Sequence, residues 1–479
     1  MKTRYTTTAA LMLSLFAWAQ APTLVADLNV GTGNLSPSNL TVYNGNIYFS
    51  GDDSSGLSTG GVDLGRELWK TNGTAAGSNV VLDINTGTGN GSPFGFFNYG
   101  GFLYFTGNDG DSSLWRTDGT AAGTIKTDLF PAIANDAPNN ATPLGTNVYF
   151  TGRAPNVNTL IEWDGTTATA APDAVNPGAV INCTQLGTFN NMLITYMSYA
   201  PDAATVGLEV YLYNPATDTY TLLKDIAVGT ANSGASNFTT IGAKFYFEAE
   251  GNLWESDGTT PNTIEVPAAA TLVLGGINNL FAFNNVLLFE GDNGAGDQLW
   301  KLDTTTGVIT QLSTNSGTNP DHDPSDYAIL NGIVYYAGED SNDNKSNLFS
   351  TDGITVTQID NTIIDIDEIV VLNNILYFEG DQDGITGNEL FTFNPATASI
   401  NEVLKANNIS LYPNPAQNKV FVKNNNDLVN TFTIYDLAGR AISQGSIINN
   451  ELDLNFKPGI YIVELVGAQT RTTQKLIIE

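Results

Sequence analysis

One histidine, one cysteine and 49 acidic side chains are the groups this chain offers for chemistry. The histidine, His322, lies in Asp321-His322-Asp323-Pro324-Ser325-Asp326. A Ser-His-Asp hydrolase or a three-histidine zinc centre would have to use it, and a single imidazole cannot build the latter. Its polar neighbours mark it instead as a solvated loop residue. Cys183 has no second cysteine to pair with, so internal disulfides are excluded, and the residue reads as a small buried hydrophobe. Carboxylates remain. A glycosidase needs only two of them about 5 to 10 Å apart, but in a chain this acidic such a pair arises by chance. Calcium is the other chemistry they suit, because Asp and Asn around Gly put hard oxygen ligands on a bendable backbone. Segments of this kind are GDDSSG (51–56), GNDGD (107–111), GDNGAGD (291–297), GEDSNDN (338–344) and GDQDG (380–384). Asp381, Asp383 and Glu389 come near an EF-hand spacing, and Asp321, Asp323 and Asp326 form a comparable cluster. These six are the candidate calcium ligands, with ordinary acidic turns as the alternative and no catalytic residue assigned.

The elements that would carry these loops are repeated. One motif recurs as NGNIYFSG (44–51), GGFLYFTG (100–107), GTNVYFTG (145–152), NNMLITYM (190–197), GAKFYFEA (242–249), NNVLLFEG (284–291), NGIVYYAG (331–338) and NNILYFEG (373–380), at intervals of 42 to 56 residues. A second motif follows each first one, as in ELWKTNGT (67–74), SLWRTDGT (113–120), NLWESDGT (252–259) and ELFTFNPAT (389–397). Asn-Gly and Asn-Asn pairs supply the positive φ of hairpin turns, and the β-branched and aromatic runs after them are strands. The Asp of the second motif's turn (Asp118, Asp164, Asp257, Asp352) reads as an acceptor for nearby backbone N–H groups. With a strand before the first turn and one after the second, each repeat holds four antiparallel strands. The fold class is therefore all-β, a β-propeller-like repeat domain of eight four-stranded blades. A seven-blade ring with an irregular insert, or two smaller rings, stays open.

ELWKTNGT, SLWRTDGT and NLWESDGT resemble the ELWxxDGT repeat family of exported bacterial proteins. The resemblance implies a repeat architecture on an extracellular protein and brings no catalytic residue with it. After a short linker at 405–408 the composition shifts. Alternating segments such as Val420-Phe421-Val422 and Tyr461-Ile462-Val463-Glu464-Leu465 predict a small C-terminal β-sandwich over 409–479. Within it YPNPAQNKVFV (412–422), IYDLAGRAI (434–442), LNFKPGIYIVEL (454–465) and QKLIIE (474–479) resemble the type A sorting domain of the type IX secretion system. The motif residues are Tyr412, Pro413, Asn414, Pro415, Gly439, Pro458, Gly459 and Tyr461. That resemblance implies passage through the periplasm and export across the outer membrane by the type IX machinery.

The N-terminus fits this destination. Lys2 and Arg4 precede an apolar run that ends in Ala17-Trp18-Ala19, the pattern of a signal peptide over 1–19 and too short to span a bilayer. No later stretch is apolar enough for a transmembrane segment. The body, 20–408, carries 10 basic and 43 acidic residues, a net charge of −33. Such a surface repels phosphate backbones, so nucleic acid is excluded as a partner. The reading is a secreted or cell-surface repeat protein, a non-enzymatic binding or adhesion scaffold with a protein or glycan ligand. Its alternative is an extracellular, glycosidase-like enzyme with paired carboxylates in the propeller channel.

Overall fold

The computed structural model describes residues 21–31, 33–53, 62–133, 135–153, 158–179, 181–382, 384–395, 410–423, 429–436, 440–447, 450–466 and 471–478. The signal-peptide segment 1–19, the linker 405–408, Asp383 and Gly439 lie outside these. The chain divides into two compact units, with Ala21–Phe393 forming one of them.

In that unit the described residues form eight four-stranded antiparallel sheets. Blades 1 to 7 each use four consecutive strands. Blade 1, for example, runs Ser38–Tyr43, Asn46–Asp52, Arg66–Thr71 and Asn79–Leu82. Blades 2 to 7 follow over 94–126, 139–170, 181–224, 236–265, 275–311 and 325–360. Blade 8 takes three strands from the C-terminal side, Ile364–Leu372, Ile375–Asp381 and Asn388–Phe393, and its fourth from the N-terminus, Thr23–Ala26. The first strand of each blade touches the first strand of the next, and that of blade 8 touches that of blade 1. The ring is closed, and eight blades replace the seven-blade and two-ring possibilities.

Register explains the two sequence motifs. The aromatic of the first pairs with the aromatic of the second across adjacent strands: Phe49 with Trp69, Phe105 with Trp115, Phe247 with Trp254, Phe289 with Trp300, Tyr336 with Phe349 and Phe378 with Phe391. These large pairs, buried except for the half-buried Trp254, fill the space between blades, which is where a blade hides its two apolar faces. Tyr48, Leu68, Leu103, Phe105 and Trp115 form one such cluster, drawn from blades 1 and 2. In the degenerate fourth copy Thr195 takes the first position, and its hydroxyl donates to the Tyr211 carbonyl, so the buried polar group is satisfied.

The C-terminal region carries a three-stranded sheet (Ser410–Tyr412, Lys419–Lys423, Glu451–Asp453) and a four-stranded one (Ala441–Ser446, Thr431–Tyr435, Gly459–Val466, Arg471–Ile478). Both contribute to one core that includes Leu411, Val420, Ile434, Leu452, Val463 and Leu476.

Candidate functional site

Antiparallel strands sort the loops onto two rims. First–second and third–fourth turns lie on one rim. Second–third loops and the blade-to-blade connections lie on the other, and the acidic segments belong to this second, connecting rim. Most first strands carry a bulge near their start, where the register shifts and one residue adopts positive φ: Asn39, Gly95, Asn140, Asn237, Asn279, Asp326 and Glu368. Asn and Gly tolerate that conformation, and bulges re-aim side chains. Several of these residues reach the next blade. Asn140 donates to the Thr184 carbonyl, Asn237 donates to the Asn278 side chain, and Glu368 accepts from the Leu40 N–H.

Among the described residues one group of three carboxylates converges. Oxygens of Glu290, Asp297 and Asp323 all lie within 4.8 Å of one another. Glu290 comes from the second strand of blade 6, Asp297 opens the third, and Asp323 sits in the connection to blade 7. Burial pushes Glu290 up to about 7; the amide of Asn279, bonded to it at 2.7 Å, opposes this, and Asp297 and Asp323 add to it. Asp297 and Asp323 are likewise raised, by burial first and by their acidic neighbours second. Three oxygen donors short of cationic partners are the donor set that a hard divalent cation such as calcium takes.

The predicted calcium residues separate in the fold. Asp321 accepts the Asp297 N–H at 3.1 Å. Asp323 joins Glu290 and Asp297. Asp326 faces Asp367, with which it shares a hydrogen bond, and burial with that contact raises Asp367 to about 7. Two carboxyl groups in direct contact are closer than the roughly 5 to 9.5 Å that glycosidases use. Asp381 receives the Gly384 N–H. Glu389 is fully buried and accepts the N–H groups of Asn29 (2.8 Å) and Leu28 (3.2 Å), so its carboxylate holds the connection to blade 1.

That last role repeats, and the sequence reading missed it. Glu67 accepts from Ile84, Asn85 and Gly91, and Glu209 accepts from Ala227. In each case the acid that opens the second motif pins the connection leaving its own blade. A second clasp runs the other way. The side-chain oxygens of Asn34, Asn90, Asn135, Asn232 and Asp321 accept the N–H at the start of the third strand in five blades, at 2.8 to 3.1 Å. The recurring Asp-x-Asn/Ala-x-Gly segments at 27–31, 83–87 and 225–229, which lie in the connections that Glu389, Glu67 and Glu209 hold, are the signal that could have found the first clasp.

His322 departs from expectation. It is 1% exposed rather than solvated, edge-on to Phe349. Nδ1 donates to the Glu339 carbonyl at 2.6 Å, which leaves Nε2 to accept the Tyr336 hydroxyl at 3.0 Å. Burial lowers it to about 4, so it is neutral and structural. Cys183 is buried too, and burial pushes its thiol up to about 12, leaving it no thiolate to react with.

In the C-terminal sheets Asn414 ties its loop to the last strand, accepting the Ile477 N–H (2.8 Å) and donating to the Lys475 carbonyl (2.6 Å). Tyr412 lies against Phe421, the Tyr461 ring lies against Phe456 and its hydroxyl donates to the Lys457 carbonyl, and Gly459 opens a strand. Residues 410–479 match the family model described as the secretion system C-terminal sorting domain. This segment is a type IX secretion sorting domain. Such a tail implies interaction with the type IX machinery and export to the cell surface or outside. No described helix is long and apolar enough to cross a membrane.

No curated protein matches the chain. Among solved structures it is similar to a puromycin-hydrolyzing peptidase of Mycobacterium tuberculosis, with 12% identity, TM-score 0.45, and coverage of 76% of this chain and 61% of that one. It is also similar to the extracellular domain of a putative one-component system from B. thetaiotaomicron, with 11% identity, TM-score 0.44, and coverage of 96% of this chain and 58% of that one. The chain thus spans about three-fifths of those chains.

Proposed function

We propose that this protein is an extracellular, non-enzymatic binding scaffold, made with an N-terminal signal peptide over 1–19, carried through the periplasm and exported by the type IX route. In this reading the propeller over 20–408 is built of ELWxxDGT-family repeats and presents loops to a protein or glycan ligand, while 409–479 serves as the address. The observation that carries it is the sorting-domain match at 410–479. Support comes from a propeller of eight four-stranded blades, six of them with the cross-strand aromatic pair, whose connecting-rim loops differ in length and charge. Calcium at Glu290, Asp297 and Asp323 is the metal this reading assigns, as a brace for the connecting rim.

Fractionation tests the export half. In a bacterium with a working type IX system, the full chain is expected on the surface or in the medium, accessible to added protease. A chain ending at Phe393 is expected to stay in the periplasm. Surface exposure of the truncated chain, or retention of the full one, would overturn the reading.

A further inference from the structure

The rim opposite the acidic loops carries a second regularity. In five blades the third–fourth turn holds a glycine of positive φ lying directly against the preceding blade. A Cβ added there would meet Tyr377 at Gly73 (2.2 Å), Tyr48 at Gly119 (2.4 Å), Tyr99 at Gly165 (3.0 Å), Phe189 at Gly258 (3.1 Å) and Phe283 at Gly353 (3.6 Å). Beside three of these turns the preceding blade also brings Lys70, Leu212 or Lys301, none of them an acid. Both lysines bond the turn itself, Lys70 to the Gly119 carbonyl (2.7 Å) and Lys301 to the Gly353 carbonyl (2.5 Å).

Blades 4 and 6 break the pattern. Their turns are Asn214-Pro215-Ala216-Thr217 and Asp303-Thr304-Thr305-Thr306-Gly307, and the residue facing them from the preceding blade is a glutamate, Glu162 or Glu255. At both places the seam opens into a cavity. The one between blades 3 and 4 holds about 300 Å³ and is lined by Leu144, Asn147, Tyr149, Glu162, Asn191 and Pro215 among others. The one between blades 5 and 6 holds about 370 Å³, with Lys244, Tyr246, Glu255, Val266, Leu302 and Thr304 in its wall. Both volumes are at the lower end of small-ligand sites, roughly 300 to 1,000 Å³. Glu162 is held by the Tyr149 hydroxyl (2.9 Å) and the Asn147 amide, and Glu255 by Lys244 (2.7 Å). Each carboxylate is oriented by neighbours on its own blade rather than by the turn.

We propose that these two cavities are equivalent binding sites for a neutral, hydroxyl-rich group the size of a single sugar ring, its hydroxyls donating to Glu162 and Glu255. Where Lys70 and Lys301 donate to the turn, Glu162 and Glu255 present acceptors instead, which calls for a ligand that donates. A free cation fits the second site poorly, because Lys244 already neutralises Glu255 there. An anionic sugar is repelled by the surrounding negative surface. The mixed wall of amide, hydroxyl and short apolar side chains is the kind that receives the two faces of a pyranose. Both sites lie on one rim, so a polymer or a glycan-coated surface would engage them together and gain avidity. This inference deepens the binding-scaffold reading and rests on it.

Saturation-transfer NMR of the full chain with methyl glucoside, methyl galactoside, methyl mannoside and N-acetylglucosamine tests it. At least one is expected to bind with two sites per chain. Glu162→Lys and Glu255→Lys, which install the residue found at 70 and 301, are each expected to remove one site, and together to remove all binding. Should the lysine pair fail to fold, Glu162→Gln with Glu255→Gln preserves size and is expected to weaken binding about tenfold. Absence of transfer from every glycoside, binding that survives in the lysine double variant, or undiminished affinity in the glutamine double variant would overturn the sites. Normal surface display of the same protein in the fractionation assay would show that the sugar sites alone had failed, whereas loss of display would sink the scaffold reading itself.

Discussion

Gly119 shows how much one position on the turn rim carries. Its φ is +95°, its carbonyl receives Lys70, and a Cβ would sit 2.4 Å from the Tyr48 hydroxyl. Gly145, at φ +65° in a first–second turn, would meet nothing within 4 Å. Alanine strains the backbone at either site by about 1 kcal/mol, and at Gly119 it must also displace the neighbouring blade. Urea denaturation should therefore show Gly119→Ala losing about 2 to 3 kcal/mol and Gly145→Ala about 1; equal losses would mean that the seam yields freely. At this scale the sequence was informative where a side chain acts on its own turn. Asp118, Asp164 and Asp257 accept from the residue two places on, as their spacing suggested. It was silent where partners come from distant strands. Nothing near His322 in the chain announces Phe349 or the Tyr336 hydroxyl, so an imidazole between aspartates read as solvated.

Strands and turns could be placed from alternation and Asn-Gly pairs, but the bulges could not, and the bulges and connections decide which acids meet. Asp321, Asp323 and Asp326 are neighbours in sequence. One bonds a backbone N–H, one faces Glu290 and one faces Asp367, because the chain crosses from blade 6 to blade 7 within those six residues. Glu389 reads as a free ligand until its strand's register turns it toward the Leu28 and Asn29 amides. For the Glu290, Asp297 and Asp323 group, calcium should raise the thermal midpoint of the full chain beyond the effect of matched ionic strength, and chelator should reverse the rise. Glu290→Gln should abolish the response. A midpoint indifferent to calcium in the unaltered chain would reduce the group to ordinary acidic turns.

Taken over the molecule, buried acids outnumber compensating bases, and this sets a pH dependence. Glu290, Glu379 and Asp367 are each pushed to about 7, burial being the first cause for all three. Between their ordinary values and about 7 the folded chain binds more protons than the unfolded one, so their contribution makes stability fall as pH rises. His322, lowered to about 4, acts in the opposite sense between about 4 and 6.5, but it is one group against three. Thermal midpoints in buffers of equal ionic strength should be higher near pH 5.5 than near pH 8. A flat or rising profile would show that these carboxylates stay ionised in the fold. The ring itself has one joint unlike the others. The peptide chain crosses all eight seams, but blade 8 alone is assembled from both ends of the unit: its outer strand Thr23–Ala26 pairs with Asn388–Phe393 through Thr23 with Thr392, Leu24 with Phe391 and Ala26 with Leu390, and Glu389 holds the Leu28 and Asn29 amides just beyond it. Bringing those ends together in an unfolded chain costs about 5 kcal/mol of loop entropy beyond a constant, whereas seven stacked blades already hold them side by side. The repeat unit is therefore a split ring with its clasp inside blade 8: pulled from its two ends, Thr23–Ala26 is expected to peel from Asn388–Phe393 first, with the other seven blades still joined to hold the two halves side by side.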